Sequence, residues 1–102
     1  MDVELARQHW RDGSRRIHEV RGDPVGHDRL TGRVDVVVVE LRRRIGQTFT
    51  LQELAVAYDD ADRWVRDLLE DADPEAPPES EPGTVADAAF DVYARGASDY
   101  RP

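Results

Sequence analysis

The sequence predicts an all-α fold: a small helical bundle built from an antiparallel helical hairpin, a long or broken third helix and a tethered C-terminal helix. Three observations carry this expectation. Apolar residues recur at helical spacing in three long stretches before residue 73. Residues 36–39, four consecutive valines, are the one β-branched run, and no second strand is present to pair with it. Of the 23 Leu, Ile, Val and Phe residues in the 102-residue chain, 20 lie in 1–72, leaving only Val85, Phe90 and Val92 beyond. The expected organisation is therefore a helical core domain over 1–72, an acidic Pro-rich linker over 73–83, and a short helix with a tail over 84–102.

The first helix carries a heptad seam. Val3, Ala6, Trp10, Gly13, Ile17 and Val20 alternate steps of three and four, which keeps one stripe facing a partner. Gly13 on that seam points to a close approach of another helix, with a kink at Gly13 and Ser14 as the competing reading. Arg21, Gly22, Asp23 and Pro24 then form a turn cluster that ends the segment. The second helix, from about Asp28 to Arg44, places Leu30, Val34, Val37, Val38, Leu41 and Ile45 on one face. Val36 and Val39 fall nearly opposite, so this helix is apolar on two sides. Gly46 stops it.

The third helix opens on the best local signal in the chain. Thr50-Leu51-Gln52-Glu53 has capping-box spacing, with Phe49 and Leu54 placed for the accompanying hydrophobic staple. Leu51, Leu54, Ala55, Tyr58, Ala61, Val65, Leu68, Leu69 and Ala72 continue at helical spacing, with Asp59 and Asp60 marking either a new start or one unbroken surface. Residues 73–83 hold four prolines and four acids, a composition that favours an extended solvated linker. A last helix is expected from Thr84, with Asp87 at the capping-box position, to about Arg95.

Composition excludes several chemistries. There is no cysteine, hence no disulfide framework, thiolate metal site or cysteine nucleophile. No apolar run approaches a membrane span and no signal peptide opens the chain, so a cytoplasmic protein is expected. All 14 basic residues are Arg and the net charge is −8, distributed as +2 over 1–46 and −10 over 47–102. That balance opposes non-specific contact with nucleic acid or anionic lipid. Arg42, Arg43 and Arg44 form the one local basic cluster.

Catalytic and ligand-binding signatures are correspondingly thin. His9, His18 and His27 stand nine apart and lack partners at metal-ligand spacing. The acidic stretch 59–73 lacks the Gly and alternate oxygen donors of a calcium loop. Ser14, Ser80 and Ser98 sit in no nucleophile turn, and no Gly-rich phosphate loop occurs. Neither enzyme activity nor a metal or cofactor is expected. Residues 50–69 do resemble a helix-turn-helix unit. Thr50 to Ala55 is similar to its first helix, Ala55 to the small packing residue, and Val65 and Leu68 to inward positions of the second. Asp59 and Asp60 replace the usual Gly and apolar residue of the turn, and carboxylates surround Arg63 and Arg66 on the helix that would enter the groove.

The expected function is a non-catalytic helical protein–protein interaction module, a transcription-associated regulator or adaptor, whose acidic half steers it toward a basic surface. Candidate partner-binding residues are Val36 and Val39, opposite the core face of the second helix, and Phe90 and Tyr93 of the last helix. The spare valine face predicts a homodimer, built around Val36, Val39 and Trp10. The alternative is a dimeric DNA-binding regulator with a degenerate helix-turn-helix at about 50–69 and Arg42, Arg43 and Arg44 on phosphates.

Overall fold

The computed structural model describes residues 2–46, 48–72 and 82–97. The chain folds as an all-α bundle of four helices among these residues: α1 (Val3–Glu19), α2 (Pro24–Ile45), α3 (Leu51–Ala72) and α4 (Pro82–Ala97). Each start has a local cause. The Asp2 carboxylate accepts from the Leu5 amide at 3.2 Å and caps α1. Asp23 accepts from the Gly26 amide at 3.3 Å, and Pro24 follows at the first helical position, where its missing N–H costs nothing. The residues that end the first helix thus also begin the second, four residues before the expected Asp28. A three-residue 3-10 turn, Val20–Gly22, bridges the two.

Gly46 closes α2, its amide bonding the Arg42 carbonyl at 2.9 Å. Its φ of 87° with ψ of −165° is a conformation that glycine alone adopts readily. At the head of α3 the Glu53 amide donates to Thr50 Oγ1 at 3.1 Å, one half of the expected box. The other half differs, because the Glu53 carboxylate accepts from the Thr50 hydroxyl instead of from the Thr50 amide. From there α3 runs unbroken for 22 residues, so Asp59 and Asp60 are exposed positions within one helix.

Helix α4 organises the core. It packs against all three other helices, most extensively against α1. Val85, Ala86, Ala88, Ala89 and Phe90 are buried, as are Ala6, Trp10 and Ile17 of α1, Val34, Val37 and Leu41 of α2, and Leu54, Ala55, Ala61, Val65 and Leu69 of α3. The heptad seam of α1 is real, and α4 is its main cover; α1 and α2 touch only lightly. Gly13 marks the closest approach. A Cβ built there would stand 2.4 Å from Asp87 Cβ and 2.8 Å from the Ala88 backbone nitrogen. Close approach, not a kink, explains this glycine.

The expected start of the last helix changes. The last helix opens at Pro82, two residues before Thr84, because proline is compatible with the first turn of a helix. Thr84 is therefore buried inside α4, and Asp87 is a packing residue. Of the expected linker 73–83, residues 82 and 83 belong to α4, while 73–81 lie outside the described residues, as does the tail 98–102. The last helix also shares one core with α1, α2 and α3. Its alanines, which carry little apolar area individually, are what permit the close approach that buries it.

Candidate interaction surface

The outer side of α2 presents apolar surface that the bundle leaves uncovered. Facing inward, Val34, Val37 and Leu41 are buried, and Leu30, Val38 and Ile45 pack at the edge of the core. On the helix's other side stand Val25, Gly32, Val36 and Val39. Their steps of seven, four and three residues hold them in one stripe along the axis. Val39 is 68% exposed and Val25 80%; Val36 is half-buried and lies outside the packed core. Nothing lies within 4 Å of a Cβ built on Gly32, so the stripe is open along its middle. From Val25 to Val39 it spans about 21 Å at the helical rise.

Charge flanks this strip asymmetrically. At its C-terminal end Arg43 Nε donates to both carboxylate oxygens of Glu40, at 2.9 and 3.0 Å, and Arg44 Nε lies 3.4 Å from the same carboxylate. The Arg43 hydrogen bond holds Glu40 below the usual carboxylate range, and the same bond raises the Arg43 guanidinium. The Arg44 guanidinium also sits over the Trp64 ring, 4.5 Å from its centroid. Of the three candidate phosphate contacts, Arg43 and Arg44 thus share Glu40, while Arg42 is exposed beside them. At the N-terminal end the strip is bordered by Asp28 and Arg29.

Phe90 and Tyr93 have a different place. Phe90 is fully buried, stacked on Trp10 at 5.8 Å between centroids and edge-on to Tyr58 at 5.2 Å. Trp10 meets Tyr58 edge-on at 5.8 Å, which completes a three-ring cluster across α1, α3 and α4. Tyr93 stacks on Phe49 with centroids 4.7 Å apart, and its hydroxyl donates to the Gly46 carbonyl. This contact ties α4 to the turn that ends α2. Both aromatics serve the chain's own core, and Trp10, 1% exposed, stands there too, not on the α2 strip.

Polar links between helices escaped the sequence pattern. The Tyr58 hydroxyl donates to Asp87, with the His9 ring stacked 6.4 Å away. Burial raises the Asp87 carboxyl, as does the Asp62 charge, against the lowering effects of the Tyr58 hydroxyl, His9 and Arg16. Burial, with the Asp87 carboxylate, likewise raises the Tyr58 hydroxyl. Four residues on, Asp91 accepts from Ser14 Oγ at 2.7 Å and from Arg95 at 2.7 Å. The available signal was two acids at i and i+4 bracketing Ala88 and Ala89 on an otherwise apolar helix. Among the described residues no group of three or more His, Cys, Asp or Glu is placed to hold a metal ion. Nor is any described helix long and apolar enough to cross a membrane.

The helix-turn-helix resemblance finds no turn, because α3 is continuous across residues 51–72. No family model matches the chain, and neither a curated protein nor a solved structure is found to match it.

Proposed function

We propose that the chain is a non-catalytic protein–protein interaction module whose working surface is the outer strip of α2, and that its first partner is a second copy of itself. The observation that carries this reading is the outward placement of Val36 and Val39 on a helix whose opposite side is buried. Charge favours a self-complementary pairing. In an antiparallel contact of two α2 helices centred between residues 35 and 36, Asp28 of one copy faces Arg43 of the other. Gly32 then faces Val39, small against large. A twofold contact repeats each match, and antiparallel helix dipoles add to it. A transcription-associated role rested on the helix-turn-helix resemblance and draws no support from a continuous α3.

Sedimentation velocity of the wild type and of the Val36→Asp, Val39→Asp double variant tests the proposal. Two carboxylates placed in a buried apolar contact without partners cost several kcal/mol, of order 3–5. A dimeric wild type and a folded monomeric variant are expected. A monomeric wild type at all accessible concentrations overturns the reading. So does a variant that loses its helical circular dichroism, which would make the two valines part of the protomer's own core.

A further inference from the structure

A second feature lies away from α2. A cleft of about 430 Å³ opens between α1, α4 and the first turn of α3. Its size falls in the range of small-molecule sites, roughly 300–1,000 Å³. Three arginines line it, Arg7 and Arg11 from α1 and Arg95 from α4. Arg7 and Arg11, about one helical turn apart, bracket Trp10 in the sequence, and Leu51 and Ala94 are the apolar residues of the lining. The one acid in the lining, Asp91, is buried and already accepts from Ser14 and Arg95. Arg7 has only a loose exposed contact, 3.9 Å from Glu4. A chain of net charge −8 therefore gathers a local positive excess at this cleft.

Trp10 is the second, independent observation. It lines the cleft and is 1% exposed, yet its indole Nε1 has no hydrogen-bond partner among the described residues. Buried donors are almost always satisfied, and the residue that carries this unpaired one also lines the cleft. Leu51 is the first residue of α3, so the positive end of that helix dipole borders the same space.

We propose that this cleft binds a small oxyanion, a carboxylate or phosphate carried on a compact body, with Arg7 and Arg11 at the mouth and the Trp10 indole N–H as the buried donor. Guanidinium forks match the two oxygens of either group. The apolar walls favour a ligand with a hydrocarbon or aromatic body over a bare inorganic ion. The site is independent of the α2 strip, which contributes none of its lining, so the two readings stand or fall separately.

The test uses the full chain labelled with ¹⁵N. Its two indole N–H resonances belong to Trp10 and Trp64, and a Trp64→Phe variant assigns them. Sodium benzoate, inorganic phosphate, neutral benzamide and sodium chloride are titrated at matched ionic strength. A saturable shift of the Trp10 resonance is expected with benzoate or phosphate and not with benzamide or chloride. Response to benzoate alone assigns a carboxylate ligand, and response to phosphate alone assigns a phosphate. Arg7→Gln and Arg11→Gln should each weaken binding about tenfold, the scale of one charge-assisted hydrogen bond. Arg66→Gln, exposed on α3, should leave it unchanged. The absence of a saturable shift with every anion overturns the proposal, as does an affinity unaltered in the Arg7→Gln, Arg11→Gln double variant.

Discussion

Replacing Gly13 by alanine asks whether α1 and α4 are as close as the fold requires. In an exposed helix interior the change would be favourable by about 1 kcal/mol, since alanine is the better helix former. Here the new methyl would stand 2.4 Å from Asp87 Cβ and 2.8 Å from the Ala88 nitrogen. Ordinary contact between such atoms is about 3.5–4.0 Å, so α4 must retreat by ~1 Å along its largest interface. The obstructing atoms belong to α4's backbone and a Cβ, which cannot swing aside as a long side chain would. Overpacking a core costs about 1–3 kcal/mol, and a backbone obstruction belongs at the upper end. Subtracting the propensity gain leaves a net loss of roughly 2 kcal/mol, or a fall in Tm of about 10 °C for a domain of this size. Thermal unfolding followed by circular dichroism measures it. Gly32→Ala is the internal control, because nothing lies within 4 Å of its Cβ and the position is exposed. In dilute solution, where self-association does not enter, that variant should gain up to about 1 kcal/mol. A Gly13→Ala chain as stable as the Gly32→Ala chain would refute the close packing of α1 on α4.

Thr50→Ala removes the hydroxyl that accepts from the Glu53 amide, and should lower stability by about 1 kcal/mol in urea unfolding with an unchanged m-value. An unchanged midpoint would mean that α3 does not depend on this cap. Asp87→Asn tests the buried carboxyl. Its folded pKa is raised by burial, so its contribution to stability is fully present in acid, below the ordinary carboxylate pKa of about 4, and is lost as pH rises through the folded value. Asparagine keeps an acceptor for the Tyr58 hydroxyl without the charge. The variant should therefore unfold at a higher temperature than the wild type near neutrality, with the advantage vanishing in acid; an advantage that grows as pH falls contradicts the assignment.

How much was legible depended on the range of each interaction. The Thr50 cap and the Gly46 stop are local, and their residues state them within four positions. The α1 seam was legible too, since Ala6, Trp10, Gly13 and Ile17 all turn out buried. What covers a stripe is not written in the stripe. The partner of Gly13 proved to be Asp87 and Ala88, more than 70 residues away. The same distance hid the Ser14–Asp91 hydrogen bond and the gathering of Arg7 and Arg11 with Arg95. A count of large apolar residues undervalued α4, whose Ala86, Ala88 and Ala89 contribute proximity more than area. It also undervalued Asp23 and Pro24, which read as a helix breaker and act in addition as a helix start.

The central place of α4 also sets an order of events in time. At the ~5–20 residues per second of protein synthesis, roughly 4–16 s separate completion of α1 at Glu19 from completion of α4 at Ala97. Throughout that interval the Trp10 and Ile17 seam lacks α4, its main cover. The nascent chain is an adhesive intermediate until its fourth helix arrives. Closing the α1–α4 contact also spans a long stretch of sequence, unlike the neighbour-to-neighbour contacts that make many helical bundles fold fast. Refolding of the full chain should accordingly run slower than its helical content alone suggests, because the loop must close before either half of the core is rewarded.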